Sequence, residues 1–411
     1  MHMPPDAASD AILKRESDAE LLWSRLRPEH WPLPLDQLPP GTALVGGAVR
    51  DGLLDRLSSA PDLDLVVPGD ALGLTRHLAK KLKGTCVVLD EARDMARLVL
   101  GDWTVDLARR DGVDLDADLQ RRDYRLNAIA LPLRPRGALV DPTDGLGDLH
   151  QRHLRAIAEQ NLVDDPLRLL RGLRLMAEHN LSIDPQTATW IARHRHRLPT
   201  VAPERILSEL QRLVSGSWAA SVIPQLQELD LMAPWQSSDP MASALPEPTA
   251  CAEFSATERH LAWPLLRLTH LISSDGMAQL RSSRRLRQRT EQLRHWLGLC
   301  QGAVEHLNER ERLQLHRDLE ADLPALVLTL PSSLHRTWLE RWRNPDDRLF
   351  HPRPPLNGRT LQEQLHVAPG PTLGALIDHL RLEYAFGRIE DSSHALAAAR
   401  HWLSENEACC D

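Results

Sequence analysis

Short apolar runs separated by helical stretches occupy the first third of the chain, and longer amphipathic stretches follow. Between residues 42 and 140 the apolar runs are TALVGG, DLDLVV, GTCVVL, ARLVL, WTVDLA, NAIAL and GALVD. Apolar runs of this length indicate strands, and their alternation with helical stretches indicates a small sheet covered by helices. After Asp141 the pattern is helical almost without interruption, and prolines mark its breaks. The pattern predicts an α+β fold, with a small mixed-sheet head followed by a mostly α-helical remainder.

Two proline-rich segments and the change of pattern suggest where the chain divides. The segment 31–41, WPLPLDQLPPG, precedes the first apolar run, and the segment 343–356, RNPDDRLFHPRPPL, interrupts the helical part. Segments of this composition are typical of loops and linkers. We therefore expect five parts: an N-terminal helix with its linker (1–41), the head (42–140), a helical neck (141–215), a helical body (216–345) and a helical tail (346–411).

A glycine turn comes directly after the first apolar run of the head, in the sequence LVGGAVRD from Leu44 to Asp51. Gly46 and Gly47 allow backbone amides to approach a phosphate closely. Arg50 adds a fork of donors that suits phosphate oxygens. A Gly-Gly pair by itself is usually only a turn, so the interpretation as a phosphate site depends on the residues of the next apolar run.

Two carboxylates lie in that next apolar run, PDLDLVV. Asp62 and Asp64 are two residues apart on a predicted strand, so their side chains share one face. Like charges side by side repel each other unless a cation lies between them, and Mg²⁺ takes one or two carboxylates together with substrate phosphates. An isolated DxD is more often a solvated pair, but after the glycine turn it predicts a site for a nucleoside triphosphate and Mg²⁺.

Further motifs extend the pattern along the chain. They are RRDYRLNAIA (121–130), DPTDGLGDLHQRHLRAI (141–157), DDPLRLLRGLR (164–174), APERILSELQRLV (202–214) and LNGRTLQEQLHVAPGPTLGALIDHL (356–380). Together with the glycine turn and the DxD pair, these stretches resemble the DNA polymerase β-type nucleotidyltransferases. More narrowly, the chain resembles the bacterial class II tRNA nucleotidyltransferase (CCA-adding enzyme) and poly(A) polymerase family. The resemblance implies an enzyme that transfers nucleotides from CTP or ATP to the 3′ end of tRNA without a nucleic-acid template.

The resemblance also implies roles for residues of the head. Asp62 and Asp64 would be the catalytic metal ligands, and Asp106 in WTVDLA is the candidate for a third catalytic carboxylate, with an exposed strand aspartate as the alternative. In the RRDxxxNA-like motif, Arg122, Asp123 and Asn127 would handle the ribose and the phosphates. Outside this context, the same three residues would be an ordinary surface ion pair and a cap.

The segment from Asp164 to Arg174 resembles the family's nucleotide-selecting helix. We expect Asp165 and Arg168 to share a helical face at a spacing of three residues, with Arg171 and Arg174 continuing the row. A carboxylate and a guanidinium at fixed separation can hydrogen-bond a base edge, and the resemblance implies that this pair selects CTP or ATP. Asp164 stands where the family usually has Glu. A salt-bridged helix face is the alternative interpretation.

A cluster of arginines in the predicted body is the candidate for contacts with the RNA backbone. The run RSSRRLRQR holds five arginines in nine residues, although the whole chain carries a net charge of −8. Phosphate contacts supply most nonspecific affinity for nucleic acid, whereas a solvated helix face is the common alternative for such a run. The candidates are Arg281, Arg284, Arg285, Arg287 and Arg289.

The connector DGVDLDADLQ, residues 111–120, bears on the reaction product. CCA-adding relatives carry a longer connector with a flexible loop, and CC-adding relatives are characterised by a shortened one. The resemblance therefore favours a CC-adding enzyme that works alongside a separate A-adding enzyme. A full CCA-adding enzyme and a poly(A) polymerase are the alternatives within the family. A noncatalytic RNA-binding protein and a small-molecule nucleotidyltransferase are alternatives from other classes.

Cysteine usage and hydropathy indicate the compartment. The five cysteines form no CxxC pair and no zinc-binding spacing. The N-terminal residues lack the apolar run of a signal peptide, and no stretch approaches the length of a membrane span. We expect a cytoplasmic protein that does not bind membranes.

Overall fold

The computed structural model describes residues 5–236 and 252–407. Internal contacts group the chain into two compact units. The first unit comprises Met1–Arg205 with Gly216–Leu231, and the second comprises Ile206–Ser215 with Met232–Asp411. The finer division into head, neck, body and tail stays a prediction.

Within the described residues, six strands of the first unit form one mixed sheet. The strands are β1 (Ala43–Val45), β2 (Leu63–Val67), β3 (Thr85–Asp90), β4 (Met95–Leu100), β5 (Trp103–Arg109) and β6 (Ala130–Pro132). Their order across the sheet is β3-β4-β5-β2-β1-β6. Strands β2 and β5 run parallel, and the other neighbouring pairs run antiparallel. Because side chains alternate between faces, β4 buries Ala96, Leu98 and Leu100 while the intervening residues remain partly exposed.

Helices of the first unit cover the sheet and continue beyond it. They are α1 (Pro5–Leu26), α2 (Gly47–Leu53), α3 (Ala71–Leu82), α4 (Leu115–Gln120), α5 (Gly145–Gln151), α6 (Glu159–Asp164), α7 (Leu167–His179), α8 (Pro185–His194) and α10 (Ala219–Glu228). Helix α9 (Pro203–Ser215) begins in the first unit and continues into the second. Two short strands, β7 (His153–Leu154) and β8 (Ser182–Ile183), pair in parallel.

Local sequence explains where the helices near the sheet begin and end. Asp70 caps α3 by accepting a hydrogen bond from the Gly73 amide (2.7 Å), and Lys83 ends the helix in the left-handed conformation. Asn180 ends α7 in the same conformation. Short 3₁₀ turns join several elements, at Pro28–His30, Leu35–Gln37, Arg125–Asn127, Arg195–Thr200 and Ala233–Trp235.

The described part of the second unit is helical. Its helices, besides the end of α9, are α11 (Ala256–Leu271), α12 (Ser274–Gln279), α13 (Arg284–Cys300), α14 (Glu309–Asp318), α15 (Leu323–Val327), α16 (Ser332–Arg343), α17 (Gly358–Leu365), α18 (Pro371–Ala385) and α19 (Ser392–Glu407). One apolar core joins Trp263, Trp296 and Phe350, and a separate core near the C-terminal end includes Leu361 and Leu376. A mixed-sheet head followed by helices confirms the predicted α+β fold.

A helix that crosses a bilayer must be both long and apolar. Within the described ranges, no helix combines that length with that apolar character.

Candidate active site

The glycine turn lies directly against the DxD strand. Gly46 follows β1 with a φ of 71°, a left-handed conformation that favours glycine. A Cβ at this position would lie 2.9 Å from Asp64 Oδ2, so a side chain here would press on the carboxylate. The backbone N–H of Gly47, the first residue of α2, acts to lower the pKa of the Asp64 carboxylate. The structure therefore brings the glycine turn and Asp64 together.

Three carboxylates meet on one part of the sheet. Asp64 on β2 lies opposite Asp106 on the parallel strand β5, and Asp62 comes two residues before Asp64. The flanking Leu63 and Leu65 are fully buried on the other face. Asp62 accepts a hydrogen bond from the Thr104 hydroxyl. Burial, together with the nearby charges of Asp106 and Asp62, raises the pKa of Asp64 to about 6.

The donor chemistry of this site fits a hard divalent cation held jointly with a substrate. In the described ranges no group of three or more His, Cys, Asp or Glu side chains is arranged to hold a metal ion. Arg97 engages both oxygens of Asp106 (2.7 and 2.9 Å), so Asp62 and Asp64 are the carboxylates left to bind a metal. Two carboxylates on one face fit Mg²⁺, which completes its shell with phosphates and water. Burial and the neighbouring carboxylates raise the pKa of Asp64, and such a cation would stabilise its charged form.

Arg97 is a residue that the sequence interpretation missed. It lies opposite Asp106 in the register of the antiparallel pair β4–β5. The two side chains form a bidentate pair because residues opposite each other in an antiparallel ladder lie close together. The sequence signal for this pair is the short turn between β4 and β5, which sets the register of the hairpin and so places Arg97 opposite Asp106.

Arg122 lies close to the DxD pair and is held by the end of the connector. Its guanidinium donates twice to Asp118 Oδ2, over 3.2 and 2.9 Å, one helical turn earlier. The positive charge of Arg122 acts to lower the pKa of Asp64. Asp118 is buried and also accepts the backbone N–H of Asp111 (2.8 Å). The structure thus brings Arg122 to the carboxylates, and the i,i+4 spacing of Asp118 and Arg122 was a signal in the sequence for this pair.

The sequence predicts that the Arg50 guanidinium binds phosphate oxygens, whereas the structure pairs it within the protein. Its side chain is buried and donates to both oxygens of Asp51 (2.9 and 3.0 Å). A third hydrogen bond runs from Nη1 to Asn127 Oδ1 (2.7 Å). A buried guanidinium requires counter-charge and acceptors, which these two residues supply. The interpretation of Arg50 is therefore revised: most of its fork is used within the protein.

Asp123 joins the RRD motif to helix α7. Its Oδ1 accepts the Tyr124 amide (2.8 Å) and Asn127 Nδ2 (3.2 Å), and Arg171 of α7 donates to its Oδ2 (3.4 Å). Burial alone would raise the pKa of Asp123, but the charges of Arg171 and Arg168, with these hydrogen bonds, hold it below its usual value. The structure therefore brings together Asp123, Asn127 and Arg171, which the sequence had placed in two separate motifs.

The prediction that Asp165 and Arg168 share a helical face is wrong. Asp165 follows the end of α6 in an extended conformation, with φ −136° and ψ 96°, and α7 begins at Leu167. Pro166 is the reason, because the residue before a proline is disfavoured in the helical region. Asp165 accepts hydrogen bonds from the Leu167 amide and from Arg205 (both 3.2 Å).

Arg168 lies at the first turn of α7 and contacts the RRD segment. Its Nη1 donates to the carbonyl oxygens of Arg121 (3.0 Å) and Asn161 (2.9 Å). The hydroxyl of the buried Tyr124 donates to the carbonyl of Arg168 (2.8 Å), which fixes the helix against the same segment. Arg174, two turns along the helix, is buried and pairs with Glu178 (3.0 Å).

The basic run of the second unit begins helix α13. Ser283 caps the helix through the Leu286 amide (3.2 Å), and Arg284 and Arg285 follow in exposed positions. Arg281 is exposed before the cap, and Arg287 is half-buried. Arg289 makes a bidentate pair with Asp322 (2.8 and 2.7 Å). The interpretation of Arg289 is therefore revised, because its charge already has a partner within the protein.

Comparison with known proteins identifies the class of protein. The family described as "Poly A polymerase head domain" matches residues 42–155, and the family described as "Probable RNA and SrmB- binding site of polymerase A" matches residues 180–239. The crystal structure of the Bacillus stearothermophilus CCA-adding enzyme in complex with CTP has the same fold, with a TM-score of 0.67 and 19% identity. That likeness covers 98% of this chain and 100% of the other. The fold is that of a nucleotidyltransferase.

Two relatives match along most of their length. A CC-adding tRNA nucleotidyltransferase of Synechocystis sp. is 32% identical over 90% of this chain and 95% of its own. A CCA-adding enzyme of Levilactobacillus brevis is 27% identical over 86% of this chain and 92% of its own. The chain belongs to the bacterial tRNA nucleotidyltransferase and poly(A) polymerase family, which confirms the resemblance drawn from the motifs.

Proposed function

We propose that this protein adds two cytidylate residues from CTP to the 3′ end of tRNA without a nucleic-acid template. A separate A-adding enzyme would then complete the CCA end. The observation that carries the choice of product is the ten-residue connector 111–120. More than half of it is taken up by α4, whose N-cap Asp114 accepts the Ala117 amide (2.8 Å). Little chain is left for a loop that could rearrange the nucleotide pocket.

The chemistry proposed is an in-line attack of the terminal ribose hydroxyl on the α-phosphate of CTP, with pyrophosphate as the leaving group. Asp62 and Asp64 would hold two Mg²⁺ ions, which when bound lower the pKa of the attacking hydroxyl and neutralise the triphosphate. The Gly46–Gly47 turn would offer backbone amides to the phosphates, and Arg122 would add positive charge beside them. Asp106 would be held by its pair with Arg97 and would support β2, the neighbouring strand that carries Asp64.

Selection of the nucleotide would fall to residues around the start of α7. Asp123 and Asn127, which are hydrogen-bonded to each other (3.2 Å), would bind the ribose. Asp165 and Arg168 would face the base edge, with one acceptor group and one donor group. The backbone is extended at Asp165 and helical at Arg168. The two side chains would therefore approach the base from two different, fixed directions.

The tRNA backbone is proposed to contact the exposed arginines before and within the first turn of α13. Arg281, Arg284 and Arg285 are exposed, and Arg287 is half-buried beside them. Guanidiniums that neutralise phosphates release the cations condensed on the RNA, so the contact would be salt-dependent.

Full CCA addition is the second candidate. It is favoured by the similarity to the Levilactobacillus brevis CCA-adding enzyme over 86% of this chain. In this case the pocket would accept ATP after the second C despite the short connector. Addition of long A tails would instead indicate a poly(A) polymerase.

A single experiment separates these products. Purified protein is incubated with tRNA that lacks its 3′ CCA, with CTP alone, ATP alone or both, and the products are sized to one nucleotide. We expect two C additions with CTP and no further addition when ATP is present. A terminal A added efficiently would identify a CCA-adding enzyme, whereas no incorporation at all would refute the proposed activity.

A further inference from the structure

A chain of polar contacts runs from the end of the glycine turn to helix α7. Asp51 accepts two hydrogen bonds from Arg50 (2.9 and 3.0 Å), and Arg50 donates to Asn127 (2.7 Å). Asn127 donates to Asp123 (3.2 Å), which accepts from Arg171 (3.4 Å). The contacts therefore connect α2, the RRD segment and the predicted nucleotide-selecting helix.

Asp51 supplies the carboxylate that allows Arg50 to be buried. Arg50 is 5% exposed, and a buried guanidinium without a counter-charge is strongly unfavourable. The side chain of Asp51 is 28% exposed and has His179 Nε2 at 3.8 Å from its Oδ1. The bidentate geometry fixes the plane of the Arg50 fork, because both Nε and Nη2 are held by one carboxylate.

The fixed fork in turn determines the orientation of Asn127. A guanidinium has donors and no acceptor, so the Asn127 atom that faces Arg50 must be the carbonyl oxygen. The amide nitrogen of Asn127 then faces Asp123, whose carboxylate can only accept. Rotation of the amide by 180° would set donor against donor and acceptor against acceptor.

We propose that Asp51 is a positioning residue of the nucleotide site, which acts through Arg50 to orient Asn127 toward Asp123 and the nucleotide. This inference rests on the proposed function, in which Asp123 and Asn127 bind the ribose of CTP. Asp51 is four residues beyond the glycine turn and needs no contact with the substrate. Its effect is on binding of the nucleotide rather than on binding of tRNA.

The test compares Asp51→Asn and Asp51→Glu with the wild-type protein and with a control, Asp55→Asn. Asp55 lies just beyond the same helix, and its side chain is 78% exposed in a pair with Arg25 (3.4 Å). Asp51→Asn is expected to raise KM for CTP about ten- to hundredfold, since small displacements of positioning groups cost that much. KM for tRNA should stay the same, Asp51→Glu should recover part of the loss, and Asp55→Asn should behave like wild type.

A second measurement separates positioning from simple support of the fold. Asn127→Ala removes the group through which Asp51 is proposed to act, so the double variant Asp51→Asn/Asn127→Ala should bind CTP no more weakly than Asn127→Ala alone. CTP affinity is measured by calorimetry, which reports on variants that no longer turn over. Unchanged KM for CTP in Asp51→Asn, equal losses for CTP and tRNA, or additive losses in the double variant would overturn the inference. Failure of the wild-type protein to incorporate any nucleotide would instead refute the proposed function.

Discussion

At the scale of single residues, the site is organised by aspartates in contrasting electrostatic surroundings. Burial and neighbouring carboxylates raise the pKa of Asp64 to about 6. Asp123 is buried, but Arg171 and Arg168 hold its pKa below its usual value. The charge of Arg122 thus compensates Asp64 only in part, whereas Asp123 is satisfied within the protein. The contrast supports the proposed metal at Asp64, while Asp123 is held in place by its own partners.

The unsatisfied charge of Asp64 leads to a prediction about both activity and stability. Asp64→Asn and Asp62→Asn should each abolish nucleotide incorporation, because each removes a proposed metal ligand. In metal-free buffer at pH 7–8, Asp64→Asn should also stabilise the fold by roughly 1–3 kcal/mol, since it removes a carboxylate whose ionisation the fold disfavours. Asp62 is exposed, so Asp62→Asn should change stability little. Urea unfolding with a chelator present measures the difference, and Asp102→Ala in an exposed turn serves as the active control.

The pH dependence of that stabilisation comes from the raised pKa. Asp64 ionises near pH 3.8 in the unfolded chain and near pH 6 in the fold, so the wild-type fold loses stability as the pH rises through this window. The advantage of Asp64→Asn should therefore grow between about pH 4 and pH 6 and stay constant above it. An advantage that is equal at pH 4 and pH 7, or wild-type turnover in Asp64→Asn, would contradict the assignment.

At the scale of elements, α7 and the segment before it form the proposed nucleotide-selecting element. Pro166 separates Asp165 from the helix. Arg168 lies in the first turn of the helix and donates a hydrogen bond to the RRD segment. Leu169, Leu170 and Leu173 are fully buried and fix the helix in the unit. The element therefore holds its polar end rigidly, as a selective site requires.

Changes at this polar end should alter the choice of base. Asp165→Ala or Arg168→Ala is expected to raise misincorporation of UTP or ATP roughly ten- to hundredfold, because a good base-edge pair contributes about 1–3 kcal/mol of discrimination. Competition assays with mixed nucleotides measure the ratio. Asp164→Ala is the matched control, since Asp164 is next in the chain and bonds to Gln160 (2.7 Å). If selectivity stays at the wild-type level in both variants, Asp165 and Arg168 are structural residues.

Helix α13 offers a comparison between exposed and paired arginines on one element. Arg284→Ala with Arg285→Ala should raise KM for tRNA and lower its salt dependence by about one unit of slope per lost phosphate contact. KM for CTP should hardly change. Arg289→Ala should instead destabilise the second unit, because it leaves Asp322, which is 10% exposed, without its bidentate partner. If all three substitutions weaken tRNA binding equally, the distinction between RNA-binding exposed arginines and a structural paired arginine is wrong.

At the scale of the whole molecule, each compact unit is stabilised by its own secondary structure and apolar core. The first unit is built on the mixed sheet that carries the carboxylates, and the second contains two apolar cores among helices. Substitutions in the DxD pair and in α13 are thus expected to act on different steps of one reaction.

The length of the connector should determine the product of that reaction. An extended chain covers at most about 3.3–3.6 Å per residue, so ten residues that include a helix leave little slack. ATP addition to tRNA ending in CC should be very slow, and a longer connector from a CCA-adding relative should restore part of it. The same graft with a scrambled loop sequence is the control. Fast addition of the terminal A by the unmodified protein would refute the prediction.

The sequence by itself determined the elements and the identity of the charged groups. Six of the seven apolar runs contain the strands of the sheet, whereas GALVD forms only an isolated bridge at Val140. Alternation put Asp62 and Asp64 on one face, and the motifs identified the family, because these features depend on local sequence. Pro166 is also a local signal, because the residue before a proline is disfavoured in the helical region.

Only the tertiary structure decided which charges are paired across long separations in the chain. Arg50 meets Asn127 across 77 positions, Asp123 meets Arg171 across 48, and Arg289 meets Asp322 across 33. A guanidinium that is free and one that is neutralised look alike in the sequence, because the partner comes from a distant segment. Burial and the position of that partner set the charge and the pKa of each group, and both exist only once the chain is folded.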